Sequence, residues 1–481
     1  MPDTIAAVAT GASVSAIGII RVSGDDAIAA ADKIFRGAGR VRLADAQARR
    51  MYYGELSGAD GGIIDLCLCM VSRKPDSYTG EDSVEFHCHG SPVVLSEVLR
   101  ALSAHGVRQA QAGEFSKRAF LNGRMDLTQA EAVIDLIEAE TPLAARNAAG
   151  QLSGAVGIRL GCVYSSLLEI MAHFHAVLDY PDEDIDDFKM QDYIKTLMFA
   201  EENLARMMAT HERGRVLRNG IPVAIAGRPN TGKSSLLNAL VGFERAIVTD
   251  IPWTTRDTVE EKILAGGLLL KLIDTAGLRN AEEPVEKHGV KRTLAAIRKA
   301  GLVLLVLDGS EELKEEDYAA WNSIPGDVPS IVVINKSDLP NLLTPQLLST
   351  LPSQPPIPNS KLSTPIPQLL KTPAPAVRQP VRVSALTGDG LDMLVAEIIR
   401  LFPEADGQAD GEIITNTRQF EAISRARSAI CEAIAAINAS VTPDAVLTEV
   451  EAALSAIGEV TGKTVREDIT GRIFERFCVG K

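Results

Sequence analysis

The nine residues Gly227 to Ser235, GRPNTGKSS, contain the string G-x-x-x-x-G-K-[ST], which demands a strand on one side and a helix on the other. Both can be read. Ile221 to Ala226 (IPVAIA) has the pattern of a buried strand and Ser235 to Val241 (SLLNALV) that of the following helix. Gly227 and Gly232 let the backbone curl so that N–H groups face a phosphate, Lys233 reaches the outer phosphates and Ser234 offers a hydroxyl to Mg2+. The candidate phosphate contacts are therefore Asn230, Thr231, Gly232, Lys233, Ser234 and Ser235. Leu268 to Ile273 (LLLKLI) reads as a strand running into Asp274-Thr275-Ala276-Gly277, which brings a carboxylate to the Mg2+ side and a glycine amide near the last phosphate.

The base is read elsewhere. Ser330 to Ile334 leads into Asn335-Lys336-Ser337-Asp338, where a carboxylate on a rigid turn can accept hydrogen bonds from the N1–H and exocyclic amine of guanine. Adenine lacks that pair and would leave the charge unmatched, so GTP is expected rather than ATP. Ser384-Ala385-Leu386 supplies a small turn whose amide can meet the guanine carbonyl. A Gln that orients the attacking water often follows the Asp-x-x-Gly turn, but Leu278 stands there. Glu286 is the candidate for that part. Asn230 and the run Thr249-Asp250-Ile251-Pro252-Trp253-Thr254-Thr255 offer neutral oxygens to a monovalent cation, the kind of ligand K+ accepts in place of water.

At 481 residues the chain is too long for one core, so the nucleotide module is one domain among several. A net charge of −14 disfavours a generic grip on nucleic acid and leaves any RNA contact to local patches or a partner. The scattered cysteines Cys67, Cys69, Cys88, Cys162, Cys431 and Cys478, with no secretion signal at the start and no run read as long enough for a membrane helix, point to a cytoplasmic protein without a membrane segment.

Residues 1–118 read as a compact α+β domain, with strands at Ala16 to Val22, Ile63 to Val71 and Ser83 to His89 and a helix from Pro92 to His105. Arg21 closes the first strand, and Glu81 lies in the loop Ser77 to Asp82. They form either a pocket for an anionic or pterin-like ligand or a surface pair. Cys67, Cys69, His87 and His89 would make a metal site only with their strands in register, and ordinary strand packing is the better account. From Asp126, with Gln129 as its capping partner, the period turns helical. A second helical pattern runs from Leu143 to about Leu178 and a third from Gln191 to about His211. Helices resume at Arg418 to Asn438, Pro443 to Ile457 and Val465 to Phe477, so a helical domain is split by the nucleotide module. The segment 340–380 holds eleven of the chain's 24 prolines and reads as an extended spacer.

DTIAAVAT, IGIIRVSG, TGEDSVEFHCHG, GEFSKRAFLNGRMDLTQAEAV, GRPNTGKSSLLNAL, DTAGLR, NKSD and the terminal FCVGK together resemble the bacterial tRNA modification GTPase family MnmE, also called TrmE, over nearly the whole chain. The resemblance implies a multidomain α+β and α/β architecture. It comprises an α+β dimerisation and tetrahydrofolate-binding domain at 1–118, a discontinuous helical domain at 119–217 and 403–481, and an inserted Ras-like P-loop GTPase domain at 218–402. It implies a homodimer and a heterotetramer with the FAD- and NADH-dependent partner MnmG. Together they would modify C5 of the wobble uridine of certain tRNAs with a tetrahydrofolate one-carbon unit (5-formyl or 5,10-methylene). It places folate contacts on Arg21, Glu81, Arg124 and Lys481, K+ ligands on Asn230, Thr249, Ile251 and Thr254, and Mg2+ on Ser234 and Thr255. The water-orienting acid falls on Glu286. Trp253 stands where Gly is usual, Arg124 where Lys is common, Ser91 replaces the second Gly of HGG, and the 340–380 segment exceeds the usual loop. Cys478 reads either as a nucleophile toward a carbon electrophile or as a packing residue. The rival to the whole reading is a non-catalytic GTPase switch in ribosome or RNP assembly.

Overall fold

The computed structural model describes residues 3–11, 13–179, 190–243, 261–273, 296–326, 328–344, 347, 380–402, 411–464, 473–474, 477 and 480. The chain forms two compact units, one of Met1–Ile134, Gln151–Glu201 and Arg425–Lys481, the other of Asp135–Gly150 and Glu202–Ser424.

In the first unit, β1 (Ile5–Val8), β2 (Ser15–Ser23), β3 (Phe35–Gly37), β4 (Met51–Ser57), β5 (Ile63–Ser72), β6 (Ser83–Gly90) and β7 (Arg108–Gln109) form one sheet in the order β3-β4-β5-β6-β2-β1-β7. Neighbours are antiparallel except β1 and β7. The helices Ala27–Ile34 and Pro92–Ala104 contribute Ile28, Ile34, Leu95, Val98 and Leu102 to a core with Ile20, Val22, Leu56, Val71, Val84 and Phe86 of the sheet. Alternation sends the other set outward: Met51, Tyr53, Leu66 and Leu68 are exposed, and Tyr53 sits opposite Leu68. The same alternation separates the metal candidates. Cys67, Cys69 and Cys88 are buried with the core, while the neighbouring positions His87 and His89 point to the other face, toward Glu85 and Asp65.

The helix Leu127–Ile137 begins with the reciprocal cap expected at its start: Gln129 donates its N–H to Asp126 Oδ1 at 2.9 Å, and Asp126 donates its own to Gln129 Oε1 at 2.9 Å. The helical pattern from Leu143 does not run on as expected. It divides into Pro142–Leu152 and Ala155–Asp179, because Gly154 adopts φ +96 and turns the chain between them. A second correction concerns length. Ala155–Val177 is long and apolar enough to cross a membrane by length and composition, with mean hydropathy 1.4. The stretch nevertheless carries Arg159 and Glu169, and its buried residues Leu160, Val163, Leu167, Ile170 and Phe174 recur at helical spacing. The helix packs on Pro443–Thr461, the arrangement of a bundle helix.

The second unit contains β8 (Ile221–Ala226), β9 (Glu261–Ala265), β10 (Leu268–Leu272), β11 (Leu302–Asp308), β12 (Ser330–Asn335) and β13 (Val381–Arg382), in the order β13-β12-β11-β8-β10-β9. All pairs are parallel except the edge pair β9 and β10. Every residue of β11 is buried, as a strand covered on both faces requires. One face packs Val223, Ile225, Leu304 and Val306 against Leu236, Leu240, Leu394 and Ile398. The other packs Ala224, Leu305 and Leu307 against Trp321, Ile297 and Ile324.

The chain enters and leaves this sheet at one place. Ile414 donates its N–H to Thr210 Oγ1 at 3.0 Å, and Asn147 Nδ2 donates to the Ile413 carbonyl at 3.2 Å. Asp135 accepts from Thr415 Oγ1 at 2.9 Å on the exit side and pairs with Arg218 at 2.9 Å on the entry side.

Candidate functional site

The nucleotide site is shaped by backbone. Gly227 follows β8 with φ +146, and a Cβ there would lie 2.4 Å from the Val306 carbonyl. Asn230 and Gly232 are also left-handed, at φ +66 and +90. A Cβ on Gly232 would lie 2.1 Å from Asn335 Nδ2, so only glycine fits. The helix Lys233–Phe243 then starts directly after the loop, two residues earlier than its apolar pattern suggests, so that the positive end of its dipole lies at the loop. Lys233 donates from Nζ to the Arg228 carbonyl at 2.7 Å, bending back across the loop. Burial and the nearby Arg228 hold its ammonium below the ordinary lysine pKa. Arg228 is itself fixed by Asp317 at 3.1 Å and Glu311 at 2.8 Å, which anchors the loop to the helix Glu315–Asn322.

Asn335 joins this loop to the base end. Its Nδ2 donates to the Thr231 carbonyl at 2.9 Å, and its Oδ1 accepts from the Ala385 N–H at 3.0 Å. Ser384 Oγ donates to Asp338 Oδ1 at 2.6 Å, orienting a carboxylate whose residue is exposed. Lys336, at φ +63, pairs with the buried Asp308 at 2.6 Å. Burial would raise the Asp308 pKa, but the Lys336 and Ser310 hydrogen bonds outweigh it and lower it. Leu386 is 85% exposed at the rim. Among the candidates the structure therefore links Thr231, Asn335 and Ala385, and separately Ser384 with Asp338. Thr249, Asp250, Ile251, Pro252, Trp253, Thr254, Thr255, Asp274, Thr275, Ala276, Gly277, Leu278 and Glu286 lie outside the described residues, as does most of the proline-rich segment.

The N-terminal candidates meet around the loop 77–82. Arg21 pairs with Glu85 at 2.8 Å, with its guanidinium 4.9 Å from the Tyr78 ring centre and 5.8 Å from that of Phe115. Tyr78 is held through a 2.8 Å hydrogen bond between its hydroxyl and that of Ser116. Gly80, at φ +79, lies against Asn122 and Arg124, and Asn122 Nδ2 donates to the Thr79 carbonyl at 2.7 Å. Glu81 accepts from Ser23 Oγ at 2.8 Å and from Arg118 Nη1 at 3.1 Å. Arg118 escaped sequence reading; its one local signal is Glu114 four residues earlier on the helix Glu114–Leu121.

The tail returns to this domain. Phe474 and Phe477 pack with Leu127, Ala130 and Val133, and the Phe474 carbonyl lies where a Cβ on Gly113 would be, 2.3 Å away. Gly480 is buried at φ +103, and a Cβ there would lie 2.1 Å from the Val8 carbonyl. Val8 follows Ala7, the register partner of Arg21. Cys478 and Lys481 lie outside the described residues.

The family model for the GTP-binding protein TrmE N-terminus matches residues 4–124, and that for the MnmE helical domain matches residues 127–478. The tRNA modification GTPase MnmE of Thermoanaerobacter pseudethanolicus is 39% identical over 100% of this chain and 99% of its own length. That of Symbiobacterium thermophilum is 40% identical over the same shares. Among solved structures, the G domain of the T. maritima FeoB iron transporter is similar to 37% of this chain over 97% of its own, at 24% identity and a TM-score of 0.24. With relatives this similar along its full length, the chain belongs to the MnmE family of tRNA modification GTPases and hydrolyses GTP in tRNA modification.

Proposed function

We propose that this GTPase is potassium-dependent and works as a homodimer, in a heterotetramer with MnmG. The assembly places a carboxymethylaminomethyl or aminomethyl group on C5 of the wobble uridine of certain tRNAs. Its one-carbon unit comes from a 5-formyl or 5,10-methylene tetrahydrofolate, and MnmG brings FAD and NADH. The observation that carries this reading is the meeting of Arg21, Glu81 and Arg124 around one loop, with Gly480 of the tail buried one register position from the partner of Arg21. That geometry suits a pterin: a carboxylate for its N–H edge, a guanidinium beside aromatic rings, and a tail whose Gly480 lies against Val8 of the same domain. The exposed row Met51, Tyr53, Leu66 and Leu68 suits a second copy of the chain.

In the nucleotide site, the cradle of Gly227 to Gly232 and the start of the helix Lys233–Phe243 receive the phosphates, and Lys233 exchanges the Arg228 carbonyl for phosphate oxygens. Asp338 accepts the guanine edge, with Ser384 fixing its carboxylate. Ser234 with Thr255 would hold Mg2+, and Asn230, exposed at the loop tip, with Thr249, Ile251 and Thr254 would hold K+. When bound, these cations spread phosphate charge, a part Leu278 cannot take. Glu286 would orient the water. Cys478 is assigned to the modification chemistry.

Two measurements test this reading. GTP hydrolysis is expected to be faster in K+ than in Na+ at equal ionic strength; equal rates count against the cation set. Nucleosides from tRNA of a deletion strain complemented with Arg21→Ala, or with a chain lacking 478–481, are expected to lack the modified uridine, and a normal product would overturn the folate assignment.

A further inference from the structure

Arg118 is not among the folate contacts proposed above, yet it is the centre of the charged cluster behind them. Its side chain is only 11% exposed. Nη1 donates to the two carboxylate oxygens of Glu81 at 3.2 and 3.1 Å and to the Asp3 carbonyl at 2.8 Å, and Nη2 donates to Asp3 Oδ1 and Glu114 Oε1, each at 2.9 Å. All four terminal N–H bonds are therefore engaged. Arg108 closes the cluster, pairing with Asp3 at 2.5 Å and Glu114 at 2.7 Å. Two cations thus face three carboxylates, which leaves one negative charge in excess.

Glu81 is the member of this set that lies in the loop 77–82. Ser23 and Arg118 occupy part of its accepting capacity, and a carboxylate with about four lone-pair sites keeps others for a ligand. We infer that Arg118, assisted by Ser23, is a positioning residue for Glu81. It fixes the carboxylate in one orientation before a heterocycle arrives with a ring N–H and an adjacent exocyclic amine. The inference rests on the folate reading above. Its physical basis is preorganisation: the rotamer freedom of a glutamate is lost on folding rather than on binding, and the fork of an arginine sets direction where a lysine sets only charge.

The test is titration of the full chain with 5-formyltetrahydrofolate and with its analogue lacking the 2-amino group. The wild type is expected to prefer the parent strongly. Arg118→Gln should weaken the parent by about tenfold or more while changing the analogue by less than about threefold, so that discrimination collapses. Arg118→Lys, which keeps charge without the fork, should collapse it too; full rescue by lysine overturns positioning in favour of simple charge. If Arg118→Gln does not fold, as judged by its thermal midpoint, Ser23→Ala carries the test, and unchanged discrimination in that variant overturns the inference. Glu81→Gln separates the two levels. Wild-type folate binding in Glu81→Gln defeats the folate assignment of Glu81 itself. Lost binding there, with discrimination intact in Arg118→Gln, defeats only the positioning role.

Discussion

In the nucleotide module the main chain sets the shape of the site. Glycine φ angles, a helix start and two carbonyl contacts define the cradle, and side chains such as Asn335 tie its pieces together. In the N-terminal domain the converging groups are side chains: Arg118 alone joins residues 3, 81 and 114. A site of the first kind tolerates almost no added atom but depends little on distant charges. One of the second kind is spacious yet fails when a charge loses its partner.

The largest effect expected from this contrast is at Gly232. Gly232→Ala puts a methyl into Asn335 Nδ2 at a left-handed position, so GTP affinity should fall by about a thousandfold, some 4 kcal/mol, with 5-formyltetrahydrofolate binding unchanged. Calorimetry with both ligands checks it, and an equal loss of both would erase the distinction. Next is Asp338→Asn, expected to weaken GTP by about 3 kcal/mol and to favour xanthosine triphosphate. Unchanged GTP binding would remove Asp338 from the base site. Arg228→Met tests whether the nucleotide module also depends on a charge network. Asp317 is 2% exposed and would keep only the Lys314 N–H, for a loss of about 2 kcal/mol in denaturant unfolding. No loss would show the anchor to be dispensable.

The smallest expected effect depends on pH. Hydrogen bonding from Arg108, then the charges of Arg108 and Arg118, lower the Asp3 pKa from 3.8 to about 2 against the opposing effect of burial. Burial would raise that of Glu114, but Arg108, the Gln111 N–H and Arg118 lower it overall. Both carboxylates are depressed in the folded state, so their contribution is present above their unfolded values and is lost as pH falls through the folded ones. Asp3 is 52% exposed, so solvent screening should keep its share below about 1 kcal/mol. The thermal-midpoint gap between wild type and Asp3→Asn should therefore close as pH falls from 3.8 toward 2. A gap that stays constant would remove the charge from the explanation.

The same contrast explains what could be read in advance. A backbone cradle needs glycines at fixed spacing, so the segments around Gly232, Asp338 and Ser384 are contiguous motifs, and the strands that carry the first two, β8 and β12, are nearly continuous apolar runs. The Arg118 network has no such spacing, because its acceptors are brought together only by the fold. β4 is hidden in the sequence for a related reason: Met51 and Tyr53 make its outer face apolar, which masks the alternation that marks a half-buried strand. The break at Gly154 leaves no mark in the apolar pattern, which resumes immediately beyond it.

The joined ends of the nucleotide module bear on how its length can vary. Thr210 and Ile414 are hydrogen bonded, and Asp135 holds both Arg218 and Thr415, so everything between is a loop of about two hundred residues closed at its base. The entropy of closing such a loop grows only with the logarithm of its length, about 0.6 kcal/mol for a full doubling. Adding a segment the size of 340–380 changes that term by a small fraction of this. The clasp therefore makes insertion within the module nearly neutral for the helices outside it, whereas removing the Asp135 carboxylate would release Arg218 and Thr415 at once and leave only the Thr210 and Asn147 bonds described above to hold the base.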